Sequence, residues 1–152
     1  MKIALASDHA GYEEKEKLKP LLREIGIDFE DLGTVSEDSV DYPDYAVKVA
    51  RRVANNEAEL GLLVCGSGIG MSIAANKIPG VRAALAWSEE SARLARQHND
   101  ANVLTIGART TPAAEIPKIV RAFFLTPFDG GRHSARVAKI SELDCDNEPK
   151  DR

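Results

Sequence analysis

The chain has 152 residues, of which 43% are apolar and 29% charged, and these values are typical of one globular domain with a buried core. Its net charge of −4 argues against nucleic-acid binding and against a membrane-surface patch, so positive groups that bind an anionic ligand must be local. No apolar run approaches the ~20 residues that span a bilayer and no signal segment precedes the first strand-like run, so we expect a cytoplasmic protein. Cys65 and Cys145 form no C-x-x-C pair, which argues against a zinc site or a disulfide framework.

Short apolar runs alternate with longer amphipathic runs along the whole chain. The predicted strands are 2–7, 27–32, 60–65, 81–87 and 102–107. The predicted helices between and after them are 12–25, 43–55, 68–77, 88–98 and 112–125. Strands that are almost uniformly apolar and alternate with helices are typical of a parallel sheet covered on both faces. The sequence therefore predicts a Rossmann-like three-layer α/β/α sandwich with a parallel sheet of about five strands.

The helix ends carry recognisable signals. Pro43 and Pro112 suit the first turn of a helix, where a missing N–H has no cost. Ser88 precedes an acidic pair that favours the positive end of a helix dipole. We expect a single domain over residues 1–143, with a last helix over 131–143 that packs outside the sheet or on a partner. Residues 144–152 are polar and are expected to fray.

Several residues able to do chemistry follow the predicted strands. Asp8 and His9 come after the first strand, Cys65 ends the third, and Arg109 comes after the fifth. In open α/β sheets, ligands bind beyond the carboxyl ends of the strands, near the point where the strand order reverses. We therefore expect these side chains to share one site, with His98 at the end of the fourth helix nearby.

The loop after the third strand is rich in glycine: Gly66, Ser67, Gly68, Ile69 and Gly70. Closely spaced backbone N–H groups before a helix form an anion-binding site. The loop lacks the Lys-Ser/Thr pair of a Walker motif, and its G-x-G-x-G spacing after the third strand weakens a dinucleotide interpretation. The alternative is a tight turn that needs glycine torsion angles.

Cys65 has two interpretations. An isolated cysteine at a strand end is most often a small buried hydrophobic residue. A thiol beside the backbone donors of a helix start instead has its thiolate stabilised and serves as a base or nucleophile.

A second cluster lies near the C-terminus. Arg132 and Arg136 are four residues apart, which puts them on one helix face, and guanidinium groups bind phosphate oxygens in pairs. A solvated basic face is the alternative. His98 could likewise be a surface histidine, Asp8 a helix cap, and Tyr42 part of a helix start.

Taken together, these segments resemble the B-type ribose-5-phosphate isomerases, in the family that also includes galactose-6-phosphate and allose-6-phosphate isomerases. The resemblance extends to about Leu143 and rests on 7–11, 41–43, 65–70, 73–77, 96–100 with 102–104, and 130–133 with Arg136. It implies an intramolecular oxidoreductase that interconverts ribose 5-phosphate and ribulose 5-phosphate through a cis-enediolate, in the non-oxidative branch of the pentose phosphate pathway.

The resemblance also implies a role for each residue. His98 opens the sugar ring near Asp8, and Cys65 removes the C2 proton. Ser67 shuttles a proton between the two oxygens, and the amides of Gly66, Gly68, Ile69 and Gly70 stabilise the oxyanion. The phosphate is held by His9, Arg109, Arg132 and Arg136, whereas Tyr42 and Asn99 contact the sugar. No metal or other cofactor is implied.

Some family members use a glutamate just after the glycine loop as the base, but this chain has Met71 there and belongs with the cysteine subgroup. Family members are homodimers or homotetramers whose active sites are shared between subunits. Two alternatives stay open. One is a hexose-6-phosphate isomerase of the same family, and the other is a non-catalytic nucleotide-binding module on a flavodoxin-like sheet.

Overall fold

Five parallel strands form one sheet in this computed structural model, which describes residues 1–146. The strands are β1 (Lys2–Ser7), β2 (Asp28–Asp31), β3 (Leu60–Cys65), β4 (Ala83–Leu85) and β5 (Val103–Gly107). Their order is β2-β1-β3-β5-β4, and every neighbouring pair is parallel. The predicted strand count and parallel arrangement are confirmed, and the two edge strands are shorter than predicted.

Helices cover both faces of the sheet. They are α1 (Tyr12–Glu24), α2 (Tyr42–Ala54), α3 (Ile69–Ala75), α4 (Glu89–Asn99), α5 (Ile116–Leu125) and α6 (Arg132–Asp146). The connections from β1 to β2 and from β4 to β5 run in one direction across the sheet, and those from β2 to β3 and from β3 to β4 run in the other. Because such crossovers are right-handed, α1 and α4 lie on one face and α2 and α3 on the other, and α5 packs with α1 and α4. None of the helices within residues 1–146 is long and apolar enough to cross a membrane.

The central strands feed two separate cores. In β1, Ile3 and Leu5 pack into the core under α1, α4 and α5, whereas Ala4 and Ala6 face α2 and α3. In β3, Leu63 and Cys65 also face α2 and α3. Both faces are covered, so β3 and positions 3–6 of β1 are apolar on both sides instead of alternating with polar residues.

Two helix boundaries differ from the prediction. Helix α5 begins at Ile116, and Pro117, not Pro112, occupies its first turn. A helix begun at Pro112 would place Pro117 in its interior, where the ring removes a hydrogen bond and clashes with the preceding turn. Helix α6 continues to Asp146, three residues beyond the predicted end. The rest of the predicted tail, 147–152, lies outside the described residues.

Two other helix starts agree with the prediction. Pro43 lies in the first turn of α2. The Ser88 hydroxyl accepts the Ser91 N–H at 3.1 Å, and the Ser91 hydroxyl accepts the Ser88 N–H at 3.0 Å, which forms a capping box on α4.

A buried lysine fixes α1 to the end of β2. The Lys15 side chain is 0% exposed, and its Nζ donates to the Asp31 carboxylate at 2.8 and 2.9 Å and to the Thr34 carbonyl at 2.7 Å. Lys19 approaches the same carboxylate at 2.7 Å. Burial raises the pKa of Asp31, but hydrogen bonds from Lys15, Lys19 and the Gly33 amide outweigh it and hold that pKa below its usual range.

This ion pair predicts that substitution of its two members changes the stability of the fold by different amounts. Asp31→Asn leaves the buried Lys15 ammonium without its counter-ion, so we expect a loss of about 3 kcal/mol in the free energy of unfolding. Lys15→Met removes the buried charge itself, and we expect a change within about 1 kcal/mol. Urea unfolding of both variants measures the difference, and equal losses in both would contradict this account.

The same pair predicts a pH dependence. Because the pKa of Asp31 is lower in the folded state than in the unfolded chain, its stabilisation is complete above the unfolded value of about 3.9. It is lost as the pH falls through the lower folded pKa. The stability gap between the parent and Asp31→Asn should therefore be constant near neutral pH and shrink below about pH 4.

Candidate active site

A cavity of about 390 Å³ opens at the carboxyl ends of β1, β3 and β5. The chain leaves β1 and β3 in opposite directions, so their ends flank the crevice where ligands bind in this type of sheet. The residues that line the cavity are Asp8, His9, Ala10, Tyr42, Cys65, Gly66, Ser67, Gly70, Arg109 and Thr110. A larger groove of about 1120 Å³ runs along α2, but none of the predicted site residues lines it.

Cys65 lies in the wall of this cavity and is also nearly buried, at 4% exposure. Its Sγ accepts the backbone N–H of Gly68 at 3.1 Å. Gly68 has a φ of 75°, and a Cβ there would lie 2.6 Å from the Leu85 side chain and 2.9 Å from the Ile106 backbone. Only glycine fits a turn that directs this amide back to the sulfur. An N–H donor interacts more strongly with a thiolate than with a thiol.

Only some of the other residues of the glycine loop line the cavity. Ser67 and Gly70 line the cavity, whereas Gly68 and Ile69 do not, and Ile69 donates its N–H to the Ser67 hydroxyl at 3.3 Å. The Tyr42 ring covers Gly70 so closely that a Cβ there would lie 2.5 Å from it. Tyr42 therefore forms one wall of the cavity, and Gly70 has no room for a side chain.

Asp8 and His9 come to the cavity from the end of β1. The Asp8 carboxylate accepts the Gly11 N–H at 3.0 Å at the start of α1, so Asp8 both caps this turn and lines the cavity. His9 Nδ1 accepts the Val40 N–H at 3.1 Å. In a neutral imidazole, the proton is then on Nε2, which becomes a hydrogen-bond donor.

Arg109 is the one lysine or arginine among the ten residues that line the cavity. Its backbone N–H donates to the Gly66 carbonyl at 2.9 Å, and a Cβ on Gly66 would lie 3.6 Å from the guanidinium. The positive charge is thus held over the glycine loop. Thr110 also lines the cavity, and the sequence analysis missed it. Its position directly after Arg109 at the end of β5 is the signal that could have found it.

The other predicted residues lie elsewhere in the chain. None of His98, Asn99, Arg132 and Arg136 lines the cavity. Among the described residues, His98 in the last turn of α4 stacks on His133 at the start of α6, with ring centroids 4.3 Å apart and planes 12° apart. Asn99, Arg132 and Arg136 are exposed. The candidate site residues therefore form two groups within one chain.

Asp129 completes the second group. His98, Asp129 and His133 each offer a ligand atom, and these atoms lie within 4.8 Å of one another. A nitrogen lone pair lies in the plane of its ring, and the two ring planes are stacked and only 12° apart, so the rings would have to turn before they could share a metal ion. Burial lowers the pKa of His133, and the positive charges of His98, Arg132 and Arg136 lower it further, against a smaller opposing effect of Asp129.

The fold and the cavity define a doubly wound α/β protein with a cavity at the reversal of its strand order, and a thiol, a hydroxyl, a carboxylate and a guanidinium are among the groups that line it. The family model for ribose/galactose isomerases matches residues 3–140. The chain therefore belongs to the ribose/galactose isomerase family, as the sequence resemblance implied.

Individual relatives are similar to this chain over nearly its whole length. Ribose-5-phosphate isomerase B of Escherichia coli (strain K12) is 43% identical over 143 residues, covering 94% of this chain and 96% of the relative. A ribose 5-phosphate isomerase structure from Thermotoga maritima is 56% identical, with a TM-score of 0.89, and covers 93% of this chain and 97% of that one. The Mycoplasma genitalium ribose-5-phosphate isomerase B structure with bound ribulose-5-phosphate is 42% identical, with a TM-score of 0.91, and the match covers 96% of this chain and 97% of that one.

Proposed function

We propose that this protein is an aldose–ketose isomerase that interconverts ribose 5-phosphate and ribulose 5-phosphate, without a metal or other cofactor. The observation that carries the proposal is the Cys65 sulfur in the cavity wall with the Gly68 amide 3.1 Å away. The names of the relatives, including one structure with bound ribulose-5-phosphate, support the substrate. The compartment we propose is the cytoplasm, because a charged sugar phosphate does not cross a bilayer unaided.

Each step of the proposed reaction has a group to perform it. Once the sugar ring is open, the Cys65 thiolate takes the proton from C2, and the electrons of that bond form the C1–C2 double bond of a cis-enediolate. The Ser67 hydroxyl passes the O2 proton to O1. The Cys65 thiol then returns its proton to C1, so the carbonyl reforms at C2. Donors beside the cavity stabilise the negative charge that develops on the oxygens.

Phosphate binding and ring opening need the second group of residues. Within the cavity, the Arg109 guanidinium and the Nε2–H of His9 offer nitrogen donors to a phosphate. His98, Arg132 and Arg136 do not line the cavity of their own chain. We propose that these three residues complete the cavity of a partner subunit in a homodimer or in a homotetramer built from such dimers.

The exposed apolar residues support this assembly. Ile69 and Ile73 on α3 are 53% and 59% exposed, Trp87 after β4 is 71% exposed, and Ile140 on α6 is 42% exposed. Large apolar side chains that stay exposed on one chain commonly mark a protein–protein interface. The chain therefore has both a cavity that lacks part of its proposed machinery and exposed apolar side chains that could bind a second subunit.

An assay of sugar phosphates tests the proposed activity. Ribose 5-phosphate, allose 6-phosphate and galactose 6-phosphate are compared side by side, with no added cofactor and with EDTA present. We expect turnover of ribose 5-phosphate that EDTA does not reduce. Preferred turnover of a hexose phosphate would reassign the substrate, and activity that EDTA abolishes and a divalent ion restores would contradict the metal-free mechanism. Nucleotide that copurifies with a protein inactive on all three sugars would favour the binding module.

Arg132→Ala and Arg136→Ala test the phosphate site. A hydrogen bond to a charged group is worth about 1.5–3 kcal/mol, so each variant should raise KM by about 10- to 100-fold. Some loss of kcat is also expected, because binding of the phosphate orients the reacting carbons. Lys139→Ala, which removes another exposed cation of α6, is the matched control and should behave like the parent. Parental kinetics in both arginine variants would mean that this helix face is only solvated.

A further inference from the structure

The ring of His98 has one ring contact among the described residues, and the Asp129 carboxylate also lies within 4.8 Å of it. The His98 ring stacks on the ring of His133, with centroids 4.3 Å apart and planes 12° apart. The imidazole of His98 makes no hydrogen bond within residues 1–146. Rotation about the bond to an imidazole ring is broad and has no sharp minima, so packing must select the plane of the ring. The stack with His133 is a contact able to select that plane.

His133 itself is held firmly. The residue is 8% exposed, and its backbone N–H donates to the Gly130 carbonyl at 3.1 Å. Gly130 and Gly131 have φ values of 65° and 56°, a left-handed turn that starts α6 at this point. The Asp129 N–H donates to the Gln97 carbonyl at 3.1 Å and fastens this turn to α4. The two stacked rings therefore belong to elements whose backbones are joined.

We propose that His133 is a positioning residue that acts through His98. Its flat ring fixes the plane of the His98 imidazole and presents a neutral aromatic face to the imidazolium that forms when His98 takes up a proton. The inference rests on the ring-opening function proposed above for His98. A cation over an aromatic face is stabilised electrostatically, so the stack helps the step in which His98 becomes charged. The charged groups near the stack are Asp129, Arg132 and Arg136.

A pair of substitutions separates stacking from every other role of His133. His133→Phe keeps a flat, neutral ring, whereas His133→Leu places an apolar side chain without a ring at the same buried position. Both variants are compared with the parent in steady-state kinetics on ribose 5-phosphate, after circular dichroism and thermal unfolding have shown that they are folded. We expect His133→Leu to lower kcat by roughly 3- to 30-fold, with little change in KM, and His133→Phe to recover most of that loss.

A second measurement does not depend on activity. In proton–carbon NMR spectra of the full chain, ring-current shielding should move the His98 ring signals in the parent and in His133→Phe, and this shift should disappear in His133→Leu. Equal losses of kcat in both variants would overturn the inference, because the imidazole of His133 itself would then be needed. A rise in KM alone would also overturn it, because His133 would then bind substrate. A parent that isomerises no sugar phosphate would instead refute the proposed function, while the NMR comparison still reports on the stack.

Discussion

Cys65→Ser is expected to lower kcat by about 1000-fold or more while leaving KM close to that of the parent. A serine hydroxyl is a far poorer base than a thiolate near neutral pH, and the Gly68 amide that donates to Sγ at 3.1 Å does not make up the difference. The phosphate-binding residues are unchanged, so substrate should still bind. Exchange of the C2 proton with solvent should disappear together with turnover.

The chain provides a matched control for this substitution. Cys145 is also a free cysteine, but it is exposed on α6, away from the cavity wall, and Cys145→Ser should retain parental activity. In that background, iodoacetamide should inactivate the enzyme through Cys65, and a sugar phosphate should protect it. A Cys65→Ser enzyme that exchanged the C2 proton at the parental rate would show that another residue is the base.

The second large effect is expected for His98. If His98 opens the ring, His98→Asn should lower kcat by about 100-fold or more on the cyclic substrate. The small fraction of substrate that is already open should react almost as in the parent, because Cys65 is intact. Stopped-flow measurements that resolve the two forms test this difference. Equal losses on both forms would assign His98 to positioning of the substrate.

Mixing the two inactive variants tests whether the site is shared. Random assembly of Cys65→Ser and His98→Asn chains makes about half of the dimers mixed. If Cys65 and His98 of one site come from different subunits, each mixed dimer has one intact site, and about a quarter of parental activity should return. If both residues act within one chain, neither site of a mixed dimer is intact and no activity should return. This result would refute the shared site and leave the isomerase proposal standing.

The sequence determined the elements and the residues at their ends. Four strands, β1, β3, β4 and β5, are short apolar runs, and amphipathic helices lie between the strands, so local periodicity was enough to locate them. The exception is the edge strand β2, which is mostly acidic. The position of Cys65 at a strand end, followed by Gly68 at a turn, was visible in the same way. Even the error at Pro112 is local in origin, because two prolines five residues apart compete for one helix start.

Only the tertiary structure decided which of these residues meet. The insertion of β5 between β3 and β4 pairs Cys65 with Gly107 and so brings Arg109 over the glycine loop. The contact of His98 with His133 depends on how α4 and α6 pack, and the sequence analysis did not foresee it. The separation of His98 from Cys65 within one chain also depends on that packing. Strand order and helix packing arise from burial between segments far apart in the chain, and local periodicity carries no information about them.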